Sequence, residues 1–201
     1  MKLADIWEDY LESSAYIDWE NEEIQRKAEQ LRQVSKDKLD YVKSAYEFVR
    51  DEIGHSWDVQ DKRITISASS VLHEKVGICW AKSNLLAALL RAEGIPAGIC
   101  YQRLTLGDTP QSDYCIHALN AVYIERMDKW IRLDARGNKE GVNAQFSLEK
   151  EQLAFPVRAM YDEKDYDTIY AKPVDITIEV LKRNTDALYM CLYDLPQEIE
   201  E

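Results

Sequence analysis

"VGICWAKSNLLAALLRAEGIPAG", residues 76–98, decides how the chain is read. Its apolar residues recur by four: Ala81, Leu85 and Leu89 fall on one line, Leu86 and Leu90 on the next. That spacing predicts a helix over about 79–93. Gly94 stands where a helix end wants a left-handed residue, and Pro96 forbids continuation. Beyond it the period drops to two. "AGICYQRL" (97–104), "YCIHALNAVYI" (114–124) and "KWIRLDA" (129–135) read as strands, joined by "GDTPQSD" (107–113) and by the tight connection "ERMD" (125–128). A helix feeding consecutive antiparallel strands is an α+β architecture rather than an alternating α/β sheet.

On the N-terminal side, residues 1–17 read as a helical segment with Ile6, Tyr10 and Leu11 inward. Asn21 caps a second helix carrying Ile24, Ala28 and Leu31, and a third spans 38–53 up to Gly54. Residues 55–68 have no clear period. Ser69 or Ser70 is expected to cap the short helix "SSVLHEKV", and Gly77 to let the chain turn into the next helix. On the C-terminal side, 147–155 reads as a short helix or turn and 162–173 as a polar connection. Pro173 then opens a final helix over 174–190. The expected organisation is one domain over 1–201: a helical part at 1–54, a catalytic core at 55–139, and an excursion and helix at 140–201.

Composition narrows the function. A chain of 201 residues with 46% hydrophobic residues can bury a sizeable core. No apolar run approaches the roughly 20 residues of a membrane span. "MKLADIWEDYLESS" is acidic where a signal peptide is apolar, so a cytoplasmic location is expected. The four cysteines (79, 100, 115 and 191) form no CxxC pair and are expected to be free thiols. None has a histidine at zinc-ligand spacing, so neither a metal nor another cofactor is expected. The acids Asp162, Glu163, Asp165 and Asp167 lack the spacing of a calcium loop. The net charge of −12 argues against nucleic acid and anionic membrane as partners. Residues 1–54 carry −6 and 140–201 carry −8, whereas 55–139 carry +2. The centre therefore does not oppose a thiolate.

Cys79 begins the predicted helix. Alone it reads as a small buried hydrophobe. At a helix N-terminus, however, the dipole and unpaired N–H groups favour a thiolate. The same groups can hold the oxyanion formed when a thiolate attacks a carbonyl. A nucleophilic thiol needs a base. His117 lies between apolar neighbours on a predicted strand, where an unpaired imidazole is costly. Its orienting partner is Asp134, at the end of the next strand. A four-residue link at 125–128 places Asp134 across from Leu119, one diagonal step from His117 and on its face. Nucleophile, base and orienter then converge in the manner of cysteine acyl-transfer enzymes. Cys115, two residues from His117 and on the same face, is a rival nucleophile or a redox partner for Cys79.

"GICWAKSNLLAALLRAEGIPAGICYQ" and "IHALNAVYIERMDKWIRLDARGN" resemble, in order and spacing, the three motifs of the transglutaminase-like superfamily. The match is best over about 65–139. The flanks look like those of small bacterial members. The resemblance implies a papain-like cysteine protease core with Cys79 as nucleophile, His117 as base and Asp134 as orienting residue. Two positions depart from the pattern. Leu119–Asn120 replaces the usual tryptophan after the histidine. "ITISASS" lacks the upstream tryptophan that helps form the oxyanion hole in animal transglutaminases, and Trp57 lies too far upstream to align. The second oxyanion donor is therefore open among Thr65, Ser67, Gln60 and Gln102. The expected activity is acyl transfer on amide bonds of a peptide or protein substrate, with hydrolysis favoured over transfer to an amine. A module that keeps the fold only for binding is the alternative. The acids and tyrosines of 161–170 are expected to cover the cleft and to favour a basic substrate.

Overall fold

A computed structural model describes every residue except Asp108 and Glu201, with the backbone alone at Pro110. In chain order the elements are β1 (Lys2–Leu3), α1 (Glu22–Val34), α2 (Lys38–Glu52), β2 (Gly54–His55), α3 (Ser56–Val59), α4 (Ala68–Glu74), β3 (Val76–Gly77) and α5 (Cys79–Ala92). They continue with β4 (Ala97–Thr105), β5 (Tyr114–Ile124), β6 (Lys129–Leu133), β7 (Lys164–Asp165), β8 (Thr168–Ile169), α6 (Asp175–Arg183) and α7 (Ala187–Tyr193). Asp108, within the expected 107–113 loop, lies outside the described residues.

Helix α5 is the axis of the fold. Every residue from Trp80 to Arg91 is buried, as befits a helix enclosed on all sides. Helices α1, α2 and α4 pack on it from one side and strands β4 and β5 from the other. Its polar residues are buried with partners: Arg91 donates to the carbonyls of Ala97, Ala171 and Glu12, and Asn84 to that of Ile66. The helix ends as expected. Gly94 takes φ +66°, and the N–H groups of Gly94 and Ile95 close back on Arg91 and Leu90.

The main sheet has the order β6-β5-β4-β7, antiparallel throughout. The β5–β6 ladder runs from Asn120↔Leu133 to Ile124↔Lys129. Residues 125–128 are thus the four-residue link, and the register sets Asp134 across from Leu119, just past the last ladder residue. Ile116, Ala118 and Val122 join the main core around α5. Leu119 and Ala121, on the other face, form a smaller core with Tyr10, Cys100, Ile169 and Ala171.

Several elements differ from the sequence expectation. Residues 1–17 form no α-helix. Lys2–Leu3 pairs with Thr168–Ile169, the Tyr10 hydroxyl donates to the Ile169 carbonyl at 2.7 Å, and only Trp7–Tyr10 makes a 3₁₀ turn. Pairing with β8 outweighs a short amphipathic pattern, because an isolated helix of that length is marginal. The cap of α4 is Ser67, whose side chain accepts from the Ser70 N–H at 3.2 Å. Gly77 serves close approach rather than a turn: a Cβ there would lie 2.8 Å from Thr65 Oγ1. Residues 147–155 take the turn alternative, with bends and no helix, and Gln145 bridges Gln152. The connection 162–173 contains β7 and β8. The expected helix over 174–190 breaks in two, because Asp186 caps a fresh start through the N–H groups of Leu188 and Tyr189. Among the described residues, no helix is long and apolar enough to cross a membrane.

Candidate active site

Cys79 is the first residue of α5, half-buried. The first intrahelical bond runs from the Lys82 N–H to the Ile78 carbonyl at 3.0 Å. The N–H groups of Cys79, Trp80 and Ala81 therefore have no acceptor within the helix. Trp80 ties this start to the sheet: its indole Nε1 donates to the Ile116 carbonyl at 2.8 Å. Ile116 directly precedes His117, so one buried bond holds the thiol's helix against the strand of the expected base.

His117 is 4% exposed and Asp134 1% exposed. Their side chains meet as expected, His117 Nε2 to Asp134 Oδ2 at 2.8 Å. The carboxylate is held from two more sides. Oδ2 accepts the Ala154 N–H at 3.0 Å and Oδ1 the Arg136 N–H at 3.1 Å. The excursion at 147–155 thus returns to close over the pair, and the Phe155 ring stands edge-on to the imidazole at 5.3 Å. Burial alone would lower the His117 pKa. The Asp134 carboxylate, and then the neighbouring Cys79, outweigh it and raise it to about 10. Burial would raise the Asp134 pKa, but His117 and the two backbone donors hold it below the usual carboxylate value. The ring nitrogen facing Asp134 is Nε2, which leaves Nδ1 for the thiol. The dyad is an imidazolium beside a carboxylate at neutral pH.

Cys115 is also half-buried. Burial, and then the neighbouring Cys79, push its thiol up to about 12. Cys191 on α7 is likewise raised to about 12, by burial and then Cys79. Both remain thiols at neutral pH, which makes Cys115 a poor rival nucleophile. Asn120, of the Leu119–Asn120 pair that replaces the motif's tryptophan, is fully buried and donates to the carbonyls of Ser83 and Gly98, so it joins helix to sheet.

The acids of 162–167 are committed elsewhere. Asp162 pairs with Arg103 at 2.7 Å, Asp165 with Arg132 at 2.5 Å, and Glu163, only 5% exposed, with Arg158 at 2.7 Å. These three pairs brace their loops onto the sheet. Among the described residues, no group of three or more His, Cys, Asp and Glu could hold a metal ion.

Lys82 was not singled out by sequence. It lies one turn after Cys79 and is 0% exposed. Its Nζ donates to the carbonyls of Ile53 at 2.5 Å, Arg136 at 2.8 Å and Arg50 at 3.5 Å. One ammonium thus caps the end of α2 and holds the segment that follows Asp134. Gly137 takes φ +119° beside this crossing, a conformation that a side chain would strain. A lysine inside a leucine-rich helix carries no sequence signal for such a role. Lys82→Met is expected to destabilise the fold by about 2–4 kcal/mol, because buried carbonyls lose their donor. Urea unfolding at pH 7 measures this, and a loss below about 0.5 kcal/mol would contradict it.

Residues 25–135 match the model of the transglutaminase-like superfamily, a little over half of the chain. Among solved structures, a candidate cysteine protease from Cytophaga hutchinsonii superposes with a TM-score of 0.52 at 22% identity, over 65% of this chain and 42% of that one. The periplasmic domain of TgpA from Pseudomonas aeruginosa gives a TM-score of 0.47 at 19% identity, over 63% of this chain and 45% of that one. The chain spans less than half the length of either. No curated protein matches it. The first likeness bears out the papain-like α+β fold.

Proposed function

The chain belongs to the transglutaminase-like superfamily, and from that membership we propose a cysteine-dependent acyl-transfer enzyme with Cys79 as nucleophile, His117 as general base and Asp134 as the residue that orients it. The substrate is an amide bond of a peptide or protein, and the outcome is hydrolysis. One observation carries this reading: a buried His117–Asp134 bond of 2.8 Å, with Cys79, the first residue of a helix, as a neighbour of the imidazole. Cys79 Sγ adds to the carbonyl carbon, and the π pair moves to oxygen. On collapse the carbon–nitrogen bond breaks, and the amine leaves with the proton from His117. Water, activated by the now neutral His117, then cleaves the thioester. The partial exposure of Cys79 supports water rather than an amine as acceptor.

Acetylation by p-nitrophenyl acetate, mapped by peptide mass, should mark Cys79 in the wild type. It should vanish in Cys79→Ala and persist in Cys115→Ala at a rate within about twofold. An acetyl group that moves to Cys115 would reject the nucleophile assignment. With cadaverine present, free acetate should dominate over acetylcadaverine, and the reverse would favour transamidation.

A further inference from the structure

Addition of a thiolate to a carbonyl makes an oxyanion, which a pair of donors stabilises best. The Cys79 N–H is one. The four side chains open from sequence are engaged elsewhere. Thr65 Oγ1 donates to the Val76 carbonyl at 2.9 Å, and Ser67 caps α4. Gln60 is exposed and turned to the Trp57 carbonyl. Gln102 Nε2 is turned to Asp165 at 2.9 Å.

We propose that His55 is the second oxyanion donor, an inference that rests on Cys79 being the nucleophile. The parallel bridge pairs Gly54 with Val76 and His55 with Gly77. The chain therefore enters α3 and α5 side by side, and His55 stands across from the residue two before Cys79. Its Nδ1 is buried and has no hydrogen-bond partner. Such an orphan is uncommon in a native fold, and a ligand atom would complete it. Arg136, Asp58, Lys82 and, more weakly, His117 act on the ring electrostatically. Burial first, then Arg136, lower its pKa well below 6.5. At neutral pH it is an uncharged imidazole with one N–H. Such a group can donate to an oxyanion without protonating the thiolate. The step is balanced: the S–C bond forms as the carbonyl π pair moves to oxygen, and His55 donates a hydrogen bond but transfers no proton.

Two reactions of the full chain separate this role from a structural one. Acylation by p-nitrophenyl acetate passes through an oxyanion, whereas alkylation by iodoacetamide displaces iodide and forms none. In His55→Leu, acylation of Cys79 should fall by about 10²-fold, with alkylation within about threefold of wild type. His55→Gln, which restores a neutral N–H, should recover acylation to within about tenfold of wild type and covers the case in which the leucine variant does not fold. Parallel losses of acylation and alkylation in both variants, or no loss in either, would overturn the proposal. So would a loss confined to Ser56→Ala, which removes the neighbouring buried and unpartnered hydroxyl. A wild type that alkylates at Cys79 but never acylates would reject the enzyme reading itself. Wild-type acylation that His55→Leu leaves unchanged would reject this inference alone.

Discussion

Replacing His117 with glutamine is expected to lower release of p-nitroaniline from a peptidyl p-nitroanilide by about 10³-fold at pH 7, with the protein still folded. Glutamine is close in volume and its amide can still donate toward Asp134, which retains the N–H groups of Ala154 and Arg136. What disappears is the raised imidazole that holds a proton next to the thiol. Labelling of Cys79 by iodoacetamide at pH 7 should fall as well. As the pH approaches 9, alkylation should recover. Acylation by p-nitrophenyl acetate should recover with it, since p-nitrophenolate leaves without a proton. Cleavage of the anilide should not, because its nitrogen leaves only when protonated. A variant that cleaves the anilide at the wild-type rate would remove His117 from the mechanism.

This test was visible in the sequence because the residues concerned obey short-range rules. The β5–β6 link is four residues long, so parity alone placed His117 and Asp134 on one face. Cys79 could be set at a helix start because Gly94 and Pro96 bound the helix at its far end and a leucine period of four fills it. Both judgements use spacing within about twenty residues.

What escaped depends on partners far apart in the chain. The segment 1–17 has the apolar residues of a helix, but Tyr10 takes its place by bonding to Ile169. The acids of 162–167 look like a free surface cluster until Arg103, Arg132 and Arg158 are found against them. Lys82 reads as a solvated charge, yet it satisfies carbonyls near residues 50 and 136. Burial of a charged side chain is decided by whether distant backbone acceptors surround it, and spacing holds no record of that. His55 escaped for the same reason, since its role depends on a bridge to Gly77 within a stretch that has no period.

Asp134→Asn should have the second large effect, and its pH dependence is informative. The carboxylate accepts from His117, Ala154 and Arg136. An amide has one oxygen, so its NH₂ must face one of these donors. We expect a loss of about 2–4 kcal/mol at pH 7 and of about 10²–10⁴-fold in anilide cleavage, because His117 loses its orienting acceptor. In the wild type, Asp134 has a lowered pKa, so its contribution is present above about pH 3.9 and is lost as pH falls through the folded value. His117 is raised to about 10, so its contribution is full below about 6.5 and is lost as pH rises toward 10. Lys82 runs the other way. Burial first, then Arg136, lower it to about 7. Between there and its unfolded value of about 10.4 the unfolded chain holds the extra proton, and stability rises with pH. From pH 7 to 10 the two slopes oppose each other, and the wild-type profile should be nearly level. In Asp134→Asn the main group that raises His117 is gone, and so is an anion that raises Lys82. The falling slope disappears while the rising one widens. The stability gap to wild type should therefore narrow from pH 7 to 9.5 in urea unfolding. A gap that stays constant would mean that Asp134 holds the fold through its backbone donors alone, without sustaining a charged His117.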